Sequence, residues 1–270
     1  MPNIYFYIMD YLDLNKKLWN ERTNVHVDSA FYDNETFLKG KNSLNEIELN
    51  LLGDVKGKTI LHLQCHFGQD SISLARLGAQ VTAVDFSEKA IETAIELNKK
   101  SGTGCKFVCS DVYSLNTVLD QKFDIVFTSY GVIGWLPDMQ KWADIISSFL
   151  KPGGVFVMAE FHPAVWMFDN DFKYVQYSYF KSDPIIETDE GTYADKQAKI
   201  TTTSVTWNHS LSEVMSSLLN SGLRIESFNE FDYSPYNCLN NMVEVSKNHF
   251  MIKAMENKLP LVYALSASKQ

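Results

Sequence analysis

Two aspartates and one loop carry the chemistry legible in this 270-residue chain. The apolar run ILHL (60–63) enters the turn QCHFG (64–68), and the helical pattern DSISLARLG (70–78) follows. A strand, a tight turn and a helix at this spacing cradle a nucleotide, because backbone N–H groups and the helix N-terminus face its anionic part. The turn is usually glycine-rich. Here only Gly68 remains, with Gln64 and His66 in the other glycine positions. Gly68 lets the backbone approach a ligand, and Asp70 or Ser71 can cap the helix. Gln64 can bond a ligand carboxylate or amine but is not expected to supply the positive φ of glycine. A pyrophosphate needs broad backbone contact, so this loop suits a ligand with one small carboxylate better. Asp85, at the end of QVTAVD (80–85), is placed to accept both hydroxyls of a ribose, and Phe86 beside it to pack on a purine. Ser87 starts the next helix. Asp111, closing CKFVCSD (105–111), can accept from an adenine amino group while Val112 offers its backbone N–H. Helix capping is the alternative role for both aspartates.

The elements that must hold these residues alternate strand and helix. Strand-like runs fall at 59–63, 80–85, 105–111, 123–129 and 154–161, with helical patterns at 70–77, 87–100 and 139–150 between them. This rhythm predicts a parallel sheet covered on both faces. Residues 162–209 have little helical period and read as an inserted cap of short strands and loops. A helix (210–221) and two strands (223–231 and 259–268) then complete the core. The last two strands form an antiparallel edge, and 232–258 is a long, partly irregular connection. The fold class is therefore α/β, a doubly wound, mostly parallel seven-stranded sheet with an antiparallel last strand and an insertion after strand 5. Four segments result: 1–42, a helical lid built on a helix at 12–22; 43–161, the ligand-binding core; 162–209, the cap; and 210–270, the completion of the sheet.

Composition narrows the function classes. Hydrophobic residues make up 45% and charged residues 21%, which suits a folded domain with a full core. The net charge of −9 argues against nucleic acid as a partner. The longest apolar run falls well short of the ~18 residues that span a bilayer, and the N-terminus lacks a basic start, so no membrane association and a cytoplasmic location are expected. Cys65, Cys105, Cys109 and Cys238 form no Cys-x-x-Cys pair, and no metal site is expected, at His62, Cys65 and His66 included.

The succession ILHLQCHFGQDS, VTAVDFSEKAIETA, CSDVYS, FDIVFTSYGVIGWLPD and FLKPGGVFVMAEFHP resembles the class I S-adenosylmethionine-dependent methyltransferases. The resemblance covers roughly residues 40–162, and the final two strands also fit that fold. It departs at Gln64 and His66 in the glycine loop and at Ser129, where an acidic residue is common. WNER (19–22), EFHP (160–163), GTYAD (191–195) and WNHSLSEV (207–214) resemble an uncharacterised bacterial subgroup acting on small molecules. The resemblance implies that Gln64 and Gly68 contact the methionine part and Asp85 the ribose, with His66, Phe86 and Ser87 also in the cofactor-binding site. It implies Asp111 and Val112 at the adenine, and Ser129 at the methyl-donor mouth.

Methyl transfer of this kind is an in-line displacement, so alignment and exclusion of water are the main tasks, worth on the order of 7–11 kcal/mol in well-oriented pairs. A hydroxyl or ammonium acceptor must also lose a proton. His162, directly after strand 5, and His209, just before a helix, are the candidate bases; His26 in the lid is a weaker one. A sulfonium favours aromatic faces, and Trp19, Tyr32, Tyr130, Trp135, Trp166, Trp207 and Tyr233 are the candidate acceptor-binding residues. The expected partner is a small-molecule methyl acceptor, and the protein a monomer or homodimer. An NAD(P)-dependent oxidoreductase shares the strand–turn–helix and the acid after strand 2, but the Gly-x-Gly-x-x-Gly is missing. A non-catalytic S-adenosylmethionine-binding protein is the other alternative.

Overall fold

The structure, a computed structural model, describes residues 4–256 and 258–270, residues 4–10 by their backbone alone. Three helices come first: α1 (Ile4–His26), α2 (Asn34–Leu38) and α3 (Glu46–Leu52). The alternating core follows as β1 (Thr59–Leu63), α4 (Gln69–Arg76), β2 (Gln80–Asp85), α5 (Glu88–Ser101), β3 (Lys106–Cys109), β4 (Phe123–Ser129), α6 (Met139–Phe149) and β5 (Leu150–Phe161). The inserted segment carries the antiparallel pair β6 (Ile185–Glu190) and β7 (Thr201–Thr206). After α7 (Leu211–Asn220) come β8 (Leu223–Phe231), β9 (Met242–Ser246), β10 (His249–Ile252) and β11 (Val262–Lys269).

Seven strands form the main sheet in the order β3-β2-β1-β4-β5-β11-β8. β1 through β5 pair in parallel, and β11 runs antiparallel to both β5 and β8. The last two strands thus form the expected antiparallel pair at one edge of the sheet. β11 is interior and β8, parallel to β5, is the edge. Burial explains the choice: β11 is buried over Val262–Leu265, whereas most of β8 keeps accessible surface. A strand apolar on both faces belongs inside a sheet. The 232–258 connection is also more regular than expected, because β9 and β10 pair as a hairpin turning at Asn248, whose φ is 59°.

The core divides over the two faces of the sheet. On one face α6 buries Met139, Trp142, Ala143 and Ile146, a spacing of three and four residues that makes one helical stripe. Trp142 packs edge-on to Phe156 of β5, their ring centroids 5.4 Å apart. On the other face Ile72 and Leu74 of α4 and Ile91 and Leu97 of α5 pack over β1 and β2. Each such buried side chain contributes roughly 1.5–3 kcal/mol, which fixes the strand ends against which the site is built. α1 lies against β7 and α5.

Candidate active site

The winding of the sheet reverses between β1 and β4, and a cleft opens at the carboxyl ends there, as open parallel sheets dictate. About 430 Å³ of space between atoms lies in it, open solvent included. Gln64 lines it from the turn after β1, Asp85 and Phe86 from the end of β2, and Ser110 to Tyr113 from the turn after β3. Trp135 and Leu136, beyond β4, form the opposite wall. Tyr11, Leu12 and Asn15 of α1 cover the mouth.

The turn after β1 keeps a glycine-like path without the glycines. Gln64 has φ 55°, His66 φ 50° and Gly68 φ 81°. The expectation that Gln64 could not take a positive φ is therefore corrected. Left-handed backbone at a non-glycine residue costs on the order of 1–2 kcal/mol, and local bonds offset it. His66 N–H donates to Asp85 Oδ2 at 2.8 Å, and Gln64 Nε2 donates to the Val132 carbonyl at 2.8 Å. Asp85 Oδ1 accepts from Ser87 N–H at 2.9 Å, so this carboxylate ties the turn to the start of α5. Burial outweighs those bonds and pushes Asp85 up to about 6. Gln64 Oε1 is buried with no partner among the described residues.

Gly68 serves packing rather than ligand approach, a second correction. A Cβ there would sit 2.6 Å from the Phe107 ring and 3.2 Å from Ala94. Asp70 and Ser71 do not cap α4, whose N-cap is Gly68 itself. Asp70 instead accepts from Ser43 Oγ at 2.6 Å and Ser129 Oγ at 3.3 Å, and Ser71 Oγ lies 2.8 Å from His62 Nδ1. Asp111 caps the short turn Val112–Thr117 through Ser114 N–H and also lines the cleft beside Val112. Ser87 caps α5 and donates to Asn20 Oδ1, which ties α1 to the start of α5.

The remaining candidates fall into distinct places. The His66 ring turns away from the cleft toward Trp19, His26 and Tyr32. Trp135 lines the cleft, and Trp19 packs on it at 5.2 Å. Tyr32 and Tyr130 belong to a neighbouring polar group with Asp70 and Glu48. Trp207 is buried against Tyr11. Trp166 packs on Phe161, and Tyr233 stacks on His249 at 3.8 Å. Neither His162 nor His209 is among the cleft-lining residues. His162 Nδ1 accepts from Ala164 N–H, so its Nε2 donates to Glu230 Oε1 at 2.9 Å. His209 is buried, with Nε2 2.8 Å from the Leu136 carbonyl and Nδ1 3.1 Å from Glu213 Oε2. Their nitrogens are taken by structural partners, and the geometry gives a base at either position no support.

Three contributors were not foreseen from the sequence. Glu160, buried at the end of β5, accepts from the N–H groups of Gly131, Val132 and Ile133, and thereby shapes the turn whose Val132 carbonyl holds Gln64. Asn15 and Tyr11 reach the cleft from α1. Glu160 had a signal, an acid at the carboxyl end of an apolar strand; Asn15 had none beyond being polar on a helix.

Known proteins are similar to this chain in sequence and in fold. A family model described as a methyltransferase domain matches residues 54–214. The chain is 28% identical over 148 residues to a ubiquinone biosynthesis O-methyltransferase of Bordetella avium, covering 49% of this chain and 61% of that protein. It is 30% identical over 151 residues to phosphoethanolamine N-methyltransferase 1 of Triticum aestivum, covering 54% of this chain and 30% of that one. The matches thus span less than two thirds of these relatives' own length. In fold it resembles the crystal structure of an S-adenosylmethionine-dependent methyltransferase from Mesorhizobium loti, with TM-score 0.58, 20% identity, and coverage of 86% of this chain and 100% of that one.

Proposed function

The chain belongs to the methyltransferase-domain family, and from that premise we propose that it transfers a methyl group from S-adenosylmethionine to a small-molecule acceptor. The observation that carries this reading is the gathering of Asp85, Phe86, Asp111, Val112 and Gln64 into one cleft. Asp85 spends one lone pair of each oxygen on backbone N–H groups and has others for ribose hydroxyls. Phe86 offers a face to the purine, and Asp111 an acceptor to its amino group. Gln64 Oε1, buried and unpaired, fits an ammonium donor on the methionine part, because an acceptor left without a donor costs about 1–3 kcal/mol.

When bound, S-adenosylmethionine supplies a methyl group on a positively charged sulfur. The chain's own contribution is to orient it and exclude water. The turn at 64–68 fixes one end, the β2 and β3 termini the other, and α1 closes over both. The relatives' names specify an O-methyl transfer and an N-methyl transfer, which supports a small acceptor without choosing its atom. The excess of 33 Asp and Glu over 24 Lys and Arg fits the same reading. No helix among the described residues is long and apolar enough to cross a membrane. Calorimetric titration with S-adenosylmethionine, S-adenosylhomocysteine and NAD tests the proposal. Micromolar binding of the first two without NAD is expected; binding of NAD alone would replace it with a dinucleotide-dependent reaction.

A further inference from the structure

A second group of polar side chains lies beside the cleft and is not used by the cofactor residues. Its two carboxylates come from α3 and α4. Glu48 is fully buried; its Oε1 accepts from Asn45 N–H at 2.7 Å and Asn45 Nδ2 at 3.1 Å, and its Oε2 from Tyr130 Oη at 2.7 Å. Asp70 sits in the first turn of α4, just past the 64–68 turn, and is bonded to Ser129 at the end of β4. Both carboxylates therefore stand beside the place expected for the methyl donor. Burial and the Asp70 charge push Glu48 up to about 7, and burial pushes Asp70 up. Among the described residues neither has an ion-pair partner.

The opposite pole is Arg22 of α1. Its Nε is buried without a hydrogen-bond partner, it forms no ion pair among the described residues, and it lies 5.7 Å over the Trp19 ring. Enclosure lowers its hold on the proton, and the Tyr193 hydroxyl and the Asp189 carboxylate offset this only in part. His26 lies nearby, fully buried, with Nε2 unpaired and its ring against Tyr32 and Tyr193. The two poles are joined by tyrosines. Tyr32 and Tyr193 share a hydrogen bond of 2.5 Å, and Tyr236 meets Tyr130 edge-on at 5.2 Å. Tyr32, Tyr130, Tyr193, Tyr236 and Asp70 are each only partly buried, so the cluster reaches accessible surface.

An enclosed charge without a counter-charge is costly. Here two carboxylates at one end and a guanidinium at the other have no ion-pair partner within 4 Å among the described residues, Asp189 acting on the guanidinium only from farther away. A single ligand of opposite polarity compensates both. Aromatic faces favour an ammonium, and a guanidinium fits the planar or tetrahedral oxygens of a carboxylate or phosphate. A neutral phenol would leave both ends uncompensated.

We propose that this polar cluster binds the methyl acceptor and that the acceptor is a small zwitterion. Its ammonium lies between Asp70 and Glu48 among the tyrosines, and its carboxylate or phosphate lies at Arg22 and His26. This deepens the methyltransferase reading and rests on it. The ammonium first gives a proton to the Asp70–Glu48 pair. Its freed lone pair then attacks the methyl carbon, and the carbon–sulfur bond breaks with its electron pair left on sulfur. The products are an N-methylammonium and a thioether, and the proton passes from the carboxyl pair to water.

The test is calorimetry on the full chain saturated with S-adenosylhomocysteine, titrated with γ-aminobutyrate, 2-aminoethyl phosphate, butylamine and butyrate. One of the two zwitterions is expected to bind at least tenfold more tightly than either single-charge analogue, and which one identifies the anionic end. Arg22→Met should lower that affinity at least tenfold, to the level of butylamine, while affinity for S-adenosylhomocysteine stays within twofold. Asp70→Asn should remove the preference for the amine end. Glu48→Gln is the less clean variant because Glu48 also caps α3. Equal binding of zwitterion and single-charge analogue overturns the inference alone, as does methyl transfer to a catechol with no zwitterion bound. Failure of the unmodified protein to bind S-adenosylhomocysteine overturns the methyltransferase reading and this inference with it.

Discussion

Asp85 does two jobs with one carboxylate. It accepts the N–H groups of His66 and Ser87, and it lines the cleft. Asp85→Ala should therefore weaken S-adenosylhomocysteine binding at least tenfold and also destabilise the fold. Leaving two buried donors unpaired costs about 1–3 kcal/mol each, so calorimetric titration paired with thermal melting should register both losses. Unchanged affinity would mean that the carboxylate serves only the turn. Gln64 separates backbone from side chain. Gln64→Gly relieves a left-handed φ of 55° but removes the bond to Val132 and adds unfolded-state entropy. These effects oppose each other, so stability should change by less than about 1 kcal/mol while cofactor affinity falls several-fold. An affinity equal to wild type would show that Oε1 meets no ligand.

Among the elements, α1 borders the cleft through Tyr11, Leu12 and Asn15. Asn15 joins it to the inserted segment through both backbone groups of Val205: Nδ2 donates to the carbonyl at 2.7 Å, and Val205 N–H donates to Oδ1 at 2.9 Å. Lys16 and Asn20 add exposed bonds to Glu88 at the start of α5; being solvent-facing, these contribute little. Asn15→Ala leaves two buried groups of β7 unpaired at about 1–3 kcal/mol each. It should loosen α1 without unfolding the sheet. Faster proteolysis within residues 11–26 and faster release of S-adenosylhomocysteine in stopped flow are the expected readouts. Unaltered cleavage and release would assign the closure to the Trp19–Trp135 contact instead. The inserted β6–β7 pair thus has a physical purpose: β7 is the surface on which the covering helix rests.

For the molecule as a whole, buried ionisable groups set opposing pH dependences. Asp85 is held at about 6 and Glu48 at about 7, above their ordinary 3.8 and 4.5. A raised carboxylate contributes its stability fully below its unfolded pKa and loses it as pH rises through the folded one. His26 and His62 are held at about 3, below 6.5. Their contribution is present above 6.5 and lost as pH falls toward 3. The two sets oppose each other between about pH 4 and 6.5. Above that, the loss at Glu48 continues alone. Glu48→Gln should remove this part of the profile. The stability of the variant relative to wild type should rise by on the order of 3 kcal/mol between about pH 4.5 and 8, because each tenfold change in proton affinity is worth about 1.36 kcal/mol. Denaturant unfolding at several pH values checks it; a difference independent of pH would mean that Glu48 is not held in its neutral form.

The sequence by itself determined the order of strands and helices, because hydrophobic period is a local property of each segment. It also placed Asp85 and Asp111 at the ends of their strands and named the turn at 64–68. Tertiary structure decided the rest. It made β11 interior, since only packing on both faces tells an inner strand from an edge. It gave Gln64 and His66 a glycine-like backbone, because Asp85 and Val132, distant along the chain, supply the bonds that hold it. It turned Gly68 toward Phe107, and it closed the rings of His162 and His209 on structural partners. The gathering of Arg22, Glu48, Asp70 and Tyr193 was invisible in the chain for the same reason. These residues come from α1, α3, α4 and the cap, and a charge left without a counter-charge is a property of a neighbourhood, which exists only once the chain has folded.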